Sequence, residues 1–254
     1  MSVTRPLAEI EYPESDGKPM GETDLHRHWM NRVYDQLSRR YRGQQVYVGC
    51  DLLVYYTEGR VFDVCVPDVF VALGAEPGFR RTFKTWVEGM PPTVVFEVTS
   101  QSTRREDEVF KPRTYAKIGV KEYFLFDPTA DYLSPPLIGY RLEGEDRGRI
   151  APDTTGALES RELGLRLWLE RDELVLADAA TGQRLLTDVE ASEEEIATAE
   201  ARIKTAEAVA AAASERVKAA DAHVQAAEAR MQAAEEEARR LREEVERLRR
   251  GDGL

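Results

Sequence analysis

Residues 94–100 read Val94-Val95-Phe96-Glu97-Val98-Thr99-Ser100, a strongly apolar stretch with a carboxylate at its centre. Such a composition favours a buried β-strand, and strand alternation places Glu97 on the same face as Val95 and Thr99. An unpaired carboxylate in this position would lose on the order of several kcal/mol of hydration free energy. We therefore expect Glu97 to meet either a metal ion or a cationic side chain, and an arginine such as Arg113 is the simplest cationic alternative.

The segments around this strand predict a mixed succession of helices and strands. Thr23 is a plausible N-cap for an amphipathic helix over 23–41, and Gly119 is placed to end a second helix over 109–118. A Gly- and Pro-containing connection over 74–92 is long enough to be a functional loop. Further strands are predicted over 45–56, 61–73, 93–99, 123–126, 138–142, 165–169 and 173–178. This order predicts a mixed α/β core rather than a repeating βαβ series.

A second carboxylate, Asp68, follows Pro67 inside another apolar run. If the two strands are neighbours, Asp68 and Glu97 can meet at one point. Two carboxylates completed by waters are a usual way to hold Mg²⁺ or Mn²⁺ at phosphate-handling sites. Lys111 on the following helix is the candidate for orienting an attacking water or offsetting negative charge, and the spacing i, i+4, i+8 places it on one face with Asp107 and Tyr115.

Five motifs in this order resemble a known family. They are Pro67-Asp68, the strand with Glu97 at its centre, Ser-x-Ser-Thr over 100–103, Asp-x3-Lys-x3-Tyr over 107–115, and Gly-Val-x-Glu-Tyr over 119–123. Together they resemble the Uma-two family, whose members are predicted endonucleases of the PD-(D/E)xK superfamily. The resemblance covers about residues 22–189. It implies a restriction-endonuclease-like fold, a mixed sheet flanked by helices.

The resemblance also implies roles for individual residues. Asp68 and Glu97 would be metal ligands, the Val98 carbonyl a third ligand, and the ion Mg²⁺ or Mn²⁺. The superfamily lysine usually stands two residues after the glutamate, where this chain has Thr99, so the catalytic lysine is expected to have moved to Lys111. His26, on the first helix, falls where the superfamily often has a further polar site residue, and Asp107 and Tyr115 are additional candidates.

Pro112 complicates the placement of Lys111, since a proline inside a helix costs about 3 kcal/mol. Two solutions are open. Either the helix starts only about a turn earlier, or it is kinked beside the site.

Eight unbroken heptads close the chain. The a positions are Ile196, Ile203, Ala210, Val217, Val224, Met231, Ala238 and Val245; each d position, three residues later, is Ala or Leu. Such a seam predicts a coiled-coil helix, and a homodimer through residues 196–250 is the expected assembly. Five of the g–e′ pairs are opposite in charge: Arg202/Glu207, Arg216/Asp221, Arg230/Glu235, Glu237/Arg242 and Glu244/Arg249. They favour a parallel pair. An antiparallel pair, a partner from another protein and a solvated single helix remain open.

The sequence divides into four parts by composition: a flexible leader over 1–21, the nuclease-like domain over 22–189, the coiled coil over 190–250 and a short tail over 251–254. No run of about 18 or more apolar residues occurs and no signal-peptide pattern is present, so a cytoplasmic location without membrane contact is expected. The net charge is −12. This acidity argues against a protein that coats nucleic acid, because phosphate neutralisation needs a basic surface. Local basic clusters are Arg39, Arg40 and Arg42; Arg80, Arg81 and Lys84; and Arg104 and Arg105.

These features predict a divalent-metal-dependent endonuclease acting on nucleic acid, with DNA the expected substrate. Asp68, Glu97 and Lys111 are its expected catalytic residues. The alternative is a catalytically inactive nuclease fold that serves binding or assembly through its coiled coil. The acidic charge and the displaced lysine favour that alternative, whereas the retention of Glu97 in an apolar strand argues against it.

Overall fold

The computed structural model describes residues 12–14, 23–100, 103–144 and 146–251. Two compact units make up the chain, Met1–Ala191 and Ser192–Leu254. The elements, in chain order, are α1 (Asp24–Arg40), β1 (Val46–Cys50), β2 (Val54–Tyr55), β3 (Val64–Cys65), β4 (Val69–Leu73), β5 (Phe83–Lys84), α2 (Thr85–Glu88), β6 (Val94–Val98), a π-helical turn (Glu106–Phe110), α3 (Lys111–Ile118), β7 (Glu122–Phe126), β8 (Leu137–Glu143), β9 (Asp146–Arg149), β10 (Leu158–Ser160), β11 (Leu165–Glu170), β12 (Glu173–Asp178) and α4 (Asp188–Arg249).

A six-stranded sheet forms the centre of the first unit, with the strand order β1-β4-β6-β7-β8-β9. Strands β6 and β7 are parallel, and every other neighbouring pair in this sheet is antiparallel. Two smaller sheets, β10-β11-β12 and β3-β2-β5, complete the unit. The predicted mixed α/β class is confirmed.

The two faces of the central sheet carry separate apolar clusters. Val94, Phe96 and Val98 pack into the cluster that contains the α1 residues Trp29, Met30, Val33 and Leu37. Val95 packs into the other cluster, with Tyr115 and Ala116 of α3. The predicted alternation along β6 is therefore confirmed, and it leaves Glu97 on the α3 side of the sheet.

Several predicted elements have different bounds. The strand expected over 45–56 is interrupted after β1, where Asp51 adopts a left-handed φ of 47°. The strand over 61–73 is likewise two short strands, β3 and β4, and the expected loop over 74–92 contains β5 and α2. β9 and β10 were not predicted. These are short segments whose pairing depends on distant neighbours, so local periodicity carries little signal for them.

The helix expected over 109–118 begins as an α-helix only at Lys111, and a π-helical turn precedes it. Pro112 is the second residue of α3, but the π-helical turn runs into α3 without a break, so the proline follows a turn of helix. The Lys111 N–H donates to the Glu106 carbonyl, five residues back, and the structure departs from α-helical geometry in this turn, directly ahead of the proline. α1 follows its prediction closely, with the Thr23 side chain accepting a hydrogen bond from the His26 N–H.

The long helix α4 contains 62 residues and would extend for about 93 Å at 1.5 Å per residue. A capping box starts it: the Thr187 N–H donates to Glu190 Oε2, and the Glu190 N–H donates to Thr187 Oγ1. Every residue from Ser192 to Gly251 is exposed in the single chain. Among the described residues, no helix is both long and apolar enough to cross a membrane.

The predicted leader over 1–21 lies outside the described residues except for Tyr12, Pro13 and Glu14. The Tyr12 ring packs against Tyr55, with ring centroids 5.0 Å apart, and the Tyr55 hydroxyl donates to the Pro13 carbonyl. Of the predicted tail over 251–254, only Gly251 is described.

Candidate active site

Asp68 and Glu97 face each other across the β4–β6 pair. Val69 is paired with Phe96 in antiparallel register, so the next position places Asp68 opposite Glu97. Side chains directly opposite in a sheet lie on the same face. Asp68 is further held by the Val98 N–H, which donates to its Oδ2 over 2.7 Å. The expected meeting of the two carboxylates is thus produced by strand register.

Glu97 is almost completely buried, with 1% of its surface exposed. Lys111 Nζ lies 2.8 Å from Glu97 Oε2, and the Tyr115 hydroxyl donates to Glu97 Oε1 over 2.6 Å. Both partners come from α3, four residues apart, and therefore share one face of the helix. The cation that meets Glu97 is Lys111, whereas Arg113, the alternative partner, is exposed.

Asp107 is a third buried carboxylate, and it shares the lysine with Glu97. Lys111 Nζ lies 2.8 Å from Asp107 Oδ1, and the Thr99 hydroxyl donates to Asp107 Oδ2 over 2.8 Å. The Tyr123 hydroxyl donates to the backbone carbonyl of Asp107 over 2.9 Å, which fixes the π-helical turn against β7. Thr99 stands two residues after Glu97, where the superfamily usually has its lysine, and it positions the Asp107 carboxylate beside Lys111.

His26 reaches the site from the first turn of α1. Its Nε2 lies 3.2 Å from Asp68 Oδ2, and its side chain is buried. Helix α1 packs on the opposite sheet face from α3, and His26 approaches Asp68 just before β4 begins.

The electrostatics of the cluster are dominated by an excess of carboxylates. Burial raises the pKa of Glu97 well above its ordinary value, and the Asp68 and Asp107 charges raise it further, against the opposing effect of Lys111. Burial by itself would lower the pKa of Lys111, but Glu97, Asp107 and Asp68 raise it strongly. The lysine is therefore held as a cation among three carboxyl groups.

The donor set fits a hard divalent cation. Asp68, Glu97 and Asp107 supply three carboxyl groups against the single ammonium of Lys111, and the register sets Asp68 and Glu97 on the same face of the sheet. Within the described part of the chain, no three His, Cys, Asp or Glu side chains are gathered as a ready-made metal cage. Mg²⁺ commonly uses only one or two protein carboxylates, with waters and substrate phosphate completing its shell, so two carboxylates are sufficient.

Thr99 and Tyr123 are site residues that the sequence reasoning did not assign. The alternation along β6 already placed Thr99 on the face of Glu97, so its contribution carried a usable signal. Tyr123 ends the Gly-Val-x-Glu-Tyr motif, but the motif did not show its role, because its contact with the Asp107 backbone exists only once β7 and the π-helical turn have come together.

The basic clusters of the sequence are largely engaged in ion pairs. Arg39 and Arg42 both pair with Asp188, and Arg40 pairs with Asp178. In the second cluster, Arg80 pairs with Glu88 and Arg81 with Glu14. The two contacts with Asp188 join α1 to the first turn of α4, and the Arg80–Glu88 contact joins the start of the β5–α2 segment to its end. The arginines of both clusters are therefore paired with carboxylates and are not free to bind phosphate.

Comparison with known proteins finds a matching family and a similar solved structure among others. A model of the family Uma2, described as "Putative restriction endonuclease", matches residues 5–171. The crystal structure of a protein described as a putative nuclease from Anabaena variabilis is similar with a TM-score of 0.42 and 16% sequence identity, over 60% of this chain and 86% of that one. No curated protein matches the sequence. Because the family match spans well over half of the chain and includes Asp68, Glu97, Asp107 and Lys111, this protein belongs to the Uma2 family of restriction-endonuclease-like proteins.

Proposed function

We propose that the protein is a divalent-metal-dependent endonuclease that hydrolyses phosphodiester bonds of nucleic acid, with DNA as the expected substrate. The observation that carries the proposal is the register that sets Asp68 opposite Glu97, whose carboxylate contacts Lys111. A structural ion pair would need one carboxylate for one lysine. Here the Lys111 ammonium contacts the carboxyl groups of Glu97 and Asp107, and Asp68 lies near enough to raise its pKa as well. This excess of carboxyl groups is suited to binding a cation.

Each residue has a proposed role. Asp68 and Glu97 would hold Mg²⁺ or Mn²⁺, with the Val98 carbonyl as a third ligand. The bound ion would acidify a water and offset negative charge on a phosphoryl oxygen. The Lys111 ammonium is partly exposed, which would let it orient the attacking water or the scissile phosphate. Asp107 and Thr99 would hold the lysine in place, and Tyr115 would hold Glu97.

The proposal includes a homodimer through residues 196–250. The large apolar residues of the heptad seam are 49–72% exposed in the single chain. A single helix can bury such a seam only against another helix, and the g–e′ charges favour a parallel partner. Two copies would bring two sites into one assembly.

One observation favours the non-catalytic alternative. Both oxygens of Glu97 already accept hydrogen bonds, from Lys111 and Tyr115. A scaffold that had lost catalysis could keep these contacts for stability alone. Each carboxylate oxygen has two lone pairs, however, so the contacts still allow a metal bond at Glu97.

Cleavage of supercoiled plasmid and of single-stranded DNA, with Mg²⁺ or Mn²⁺, tests the proposal. We expect nicking by the wild type and loss of at least a hundredfold of the rate in Glu97→Gln and Glu97→Ala, on the scale expected for removing a key electrostatic group. Glu122→Gln is the matched control. Glu122 is an equally buried strand glutamate, but it accepts hydrogen bonds from Ser160 Oγ and the Arg161 N–H and lies outside the cluster.

Two results would count against the proposal. Nicking that persists in both Glu97 variants would assign the activity elsewhere. Absence of cleavage, together with no metal binding by calorimetry, would leave a coiled-coil interaction protein on a nuclease-like scaffold.

A further inference from the structure

The outer face of the helical segment that ends in α3 carries a set of exposed side chains, which we call the α3 strip: Arg105, just before the π-helical turn, Phe110 at its end, and Arg113 and Lys117 of α3. Phe110, Arg113 and Lys117 are spaced i, i+3 and i+7 and therefore lie on one helix face. The Phe110 side chain is 51% exposed, which leaves a large apolar ring in contact with solvent. The Arg105 guanidinium lies 5.8 Å from the centre of the Phe110 ring, a cation–π contact.

Within the described residues, the cations of the α3 strip make no ion pair, whereas the neighbouring Arg104 pairs with Glu108 at 3.0 Å. Glu106, an exposed carboxylate four residues before Phe110, lies beside them. In a chain of net charge −12, three cations against this one carboxylate still leave a local positive charge. The complementary ligand is an anion.

The α3 strip lies directly beside the candidate active site. Phe110 immediately precedes Lys111, and at about 100° per residue the two side chains leave the helix on adjacent faces. Lys111 points inward to Glu97 and Asp107, while Phe110 faces solvent. A nucleic-acid strand lying along the α3 strip would therefore pass close to Lys111.

The chemistry of the strip favours single-stranded over duplex nucleic acid. A duplex hides its base faces and is bound mainly through phosphates, which requires a broad basic surface that this acidic chain lacks. An exposed aromatic ring offers a stacking surface that only an unpaired base can use, and nearby cations can follow the backbone. A few cations around one ring match that pattern.

We propose that the α3 strip binds a single-stranded segment of nucleic acid, with Phe110 stacked on an unpaired base and Arg105, Arg113 and Lys117 against the adjacent phosphates. This inference rests on the proposed nuclease function and deepens it. The substrate presented to Lys111 would be a single strand, or a frayed end or flap of a duplex.

Binding measured without cleavage tests the inference separately from catalysis. The full-length protein is titrated, in EDTA, into fluorescein-labelled oligo(dT), oligo(U) and a duplex of equal length, and anisotropy is recorded at two salt concentrations. Phe110→Ala should weaken binding of the single strands by between about five- and a hundredfold while leaving duplex binding unchanged. Phe79→Ala is the matched control, since Phe79 is fully exposed on the β4–β5 connection.

The salt dependence of binding tests the cations of the α3 strip separately from Phe110. Substituting Arg113 and Lys117 together by Gln should reduce the slope of log K against log salt by about 1.4 for a single strand, since each phosphate contact contributes about 0.7. Arg149→Gln is the control, because Arg149 is exposed and makes no ion pair among the described residues. The relative affinity for oligo(dT) and oligo(U) identifies which sugar the strip accepts.

Three outcomes would overturn the inference: no binding to any oligonucleotide, equal affinity for single strand and duplex, or a Phe110→Ala variant that binds single strands as the wild type does. Failure of the nuclease proposal can be distinguished from failure of this inference. In that case single strands would bind through Phe110, but no metal would support cleavage.

Discussion

At the scale of single residues, Lys111 is the group on which the candidate site depends. Its ammonium lies 2.8 Å from a carboxylate oxygen of both Glu97 and Asp107, and each of these carboxylates is only 1% exposed. A buried ion pair contributes little net stability compared with an apolar replacement of both partners. Removal of only one partner destabilises the fold, because the remaining charges stay buried without compensation.

We therefore expect Lys111→Met to lower the free energy of unfolding by about 3–5 kcal/mol. Urea unfolding followed by circular dichroism measures this change, with Lys121→Met as the control, because Lys121 is exposed and its substitution should change stability by less than about 0.5 kcal/mol. Equal midpoints for Lys111→Met and the wild type would contradict the burial of an ionised cluster around this lysine.

At the scale of elements, the turn that follows β7 is organised by one carboxylate. Asp127 Oδ1 accepts hydrogen bonds from the Thr129 N–H and hydroxyl, and Oδ2 accepts from the N–H groups of Tyr132 and Leu133. Burial alone would raise the pKa of Asp127, but these hydrogen bonds outweigh it and lower the pKa below its ordinary value. This turn leads the chain from β7 into β8 and so supports the pairing of these two interior strands of the central sheet.

Replacing Asp127 with Asn puts an amide donor where one oxygen now accepts, and we expect a loss of about 1–3 kcal/mol of stability at pH 7. Since the folded-state pKa is the lower one, the carboxylate stabilises the fold fully above about pH 4, and this contribution is lost as the pH falls through the folded-state pKa. Urea unfolding at pH 7 and pH 3 should therefore show the difference between wild type and Asp127→Asn shrinking in acid.

Asp131→Asn is the matched control for this turn, because Asp131 is exposed in the same loop. A difference between wild type and Asp127→Asn that stays constant with pH would refute the stabilising role of the ionised carboxylate.

At the scale of the whole molecule, the stability of the proposed homodimer depends on the heptad seam of α4. Six of the eight d positions are Ala, and the large d residues, Leu241 and Leu248, lie near the C-terminus. Interhelical packing depends on the side chains at a and d, so the stability of the proposed pair should be concentrated in these last heptads.

Light scattering after size-exclusion chromatography should report a dimer for the wild type and a monomer for Leu241→Glu/Leu248→Glu. Charges at d would be buried in the pair, at a cost that the Ala-rich heptads cannot offset. Val209→Glu is the control, since Val209 is exposed on α4 but lies outside the a and d positions. A wild-type monomer at about 100 µM, well above the Kd of a stable pair, would refute the homodimer.

Local patterns in the sequence were sufficient to predict the β6 strand with Glu97 on one face, α1 with its Thr23 cap and a long C-terminal helix. Each depends on periodicity or capping within a few residues of the chain. The order of the motifs was likewise enough to identify the family and to select Asp68, Glu97 and Lys111 as the residues that come together.

Only the tertiary structure decided which of these residues contact each other. The choice of Lys111 over Arg113 as the partner of Glu97 depends on where α3 starts after its π-helical turn, and the contact from Thr99 through Asp107 to Lys111 depends on that same turn. The opposition of Asp68 and Glu97 depends on the β4–β6 register. The physical reason is common to all three: side-chain direction repeats locally along a strand or helix, whereas register and packing are set by contacts between segments distant in the chain.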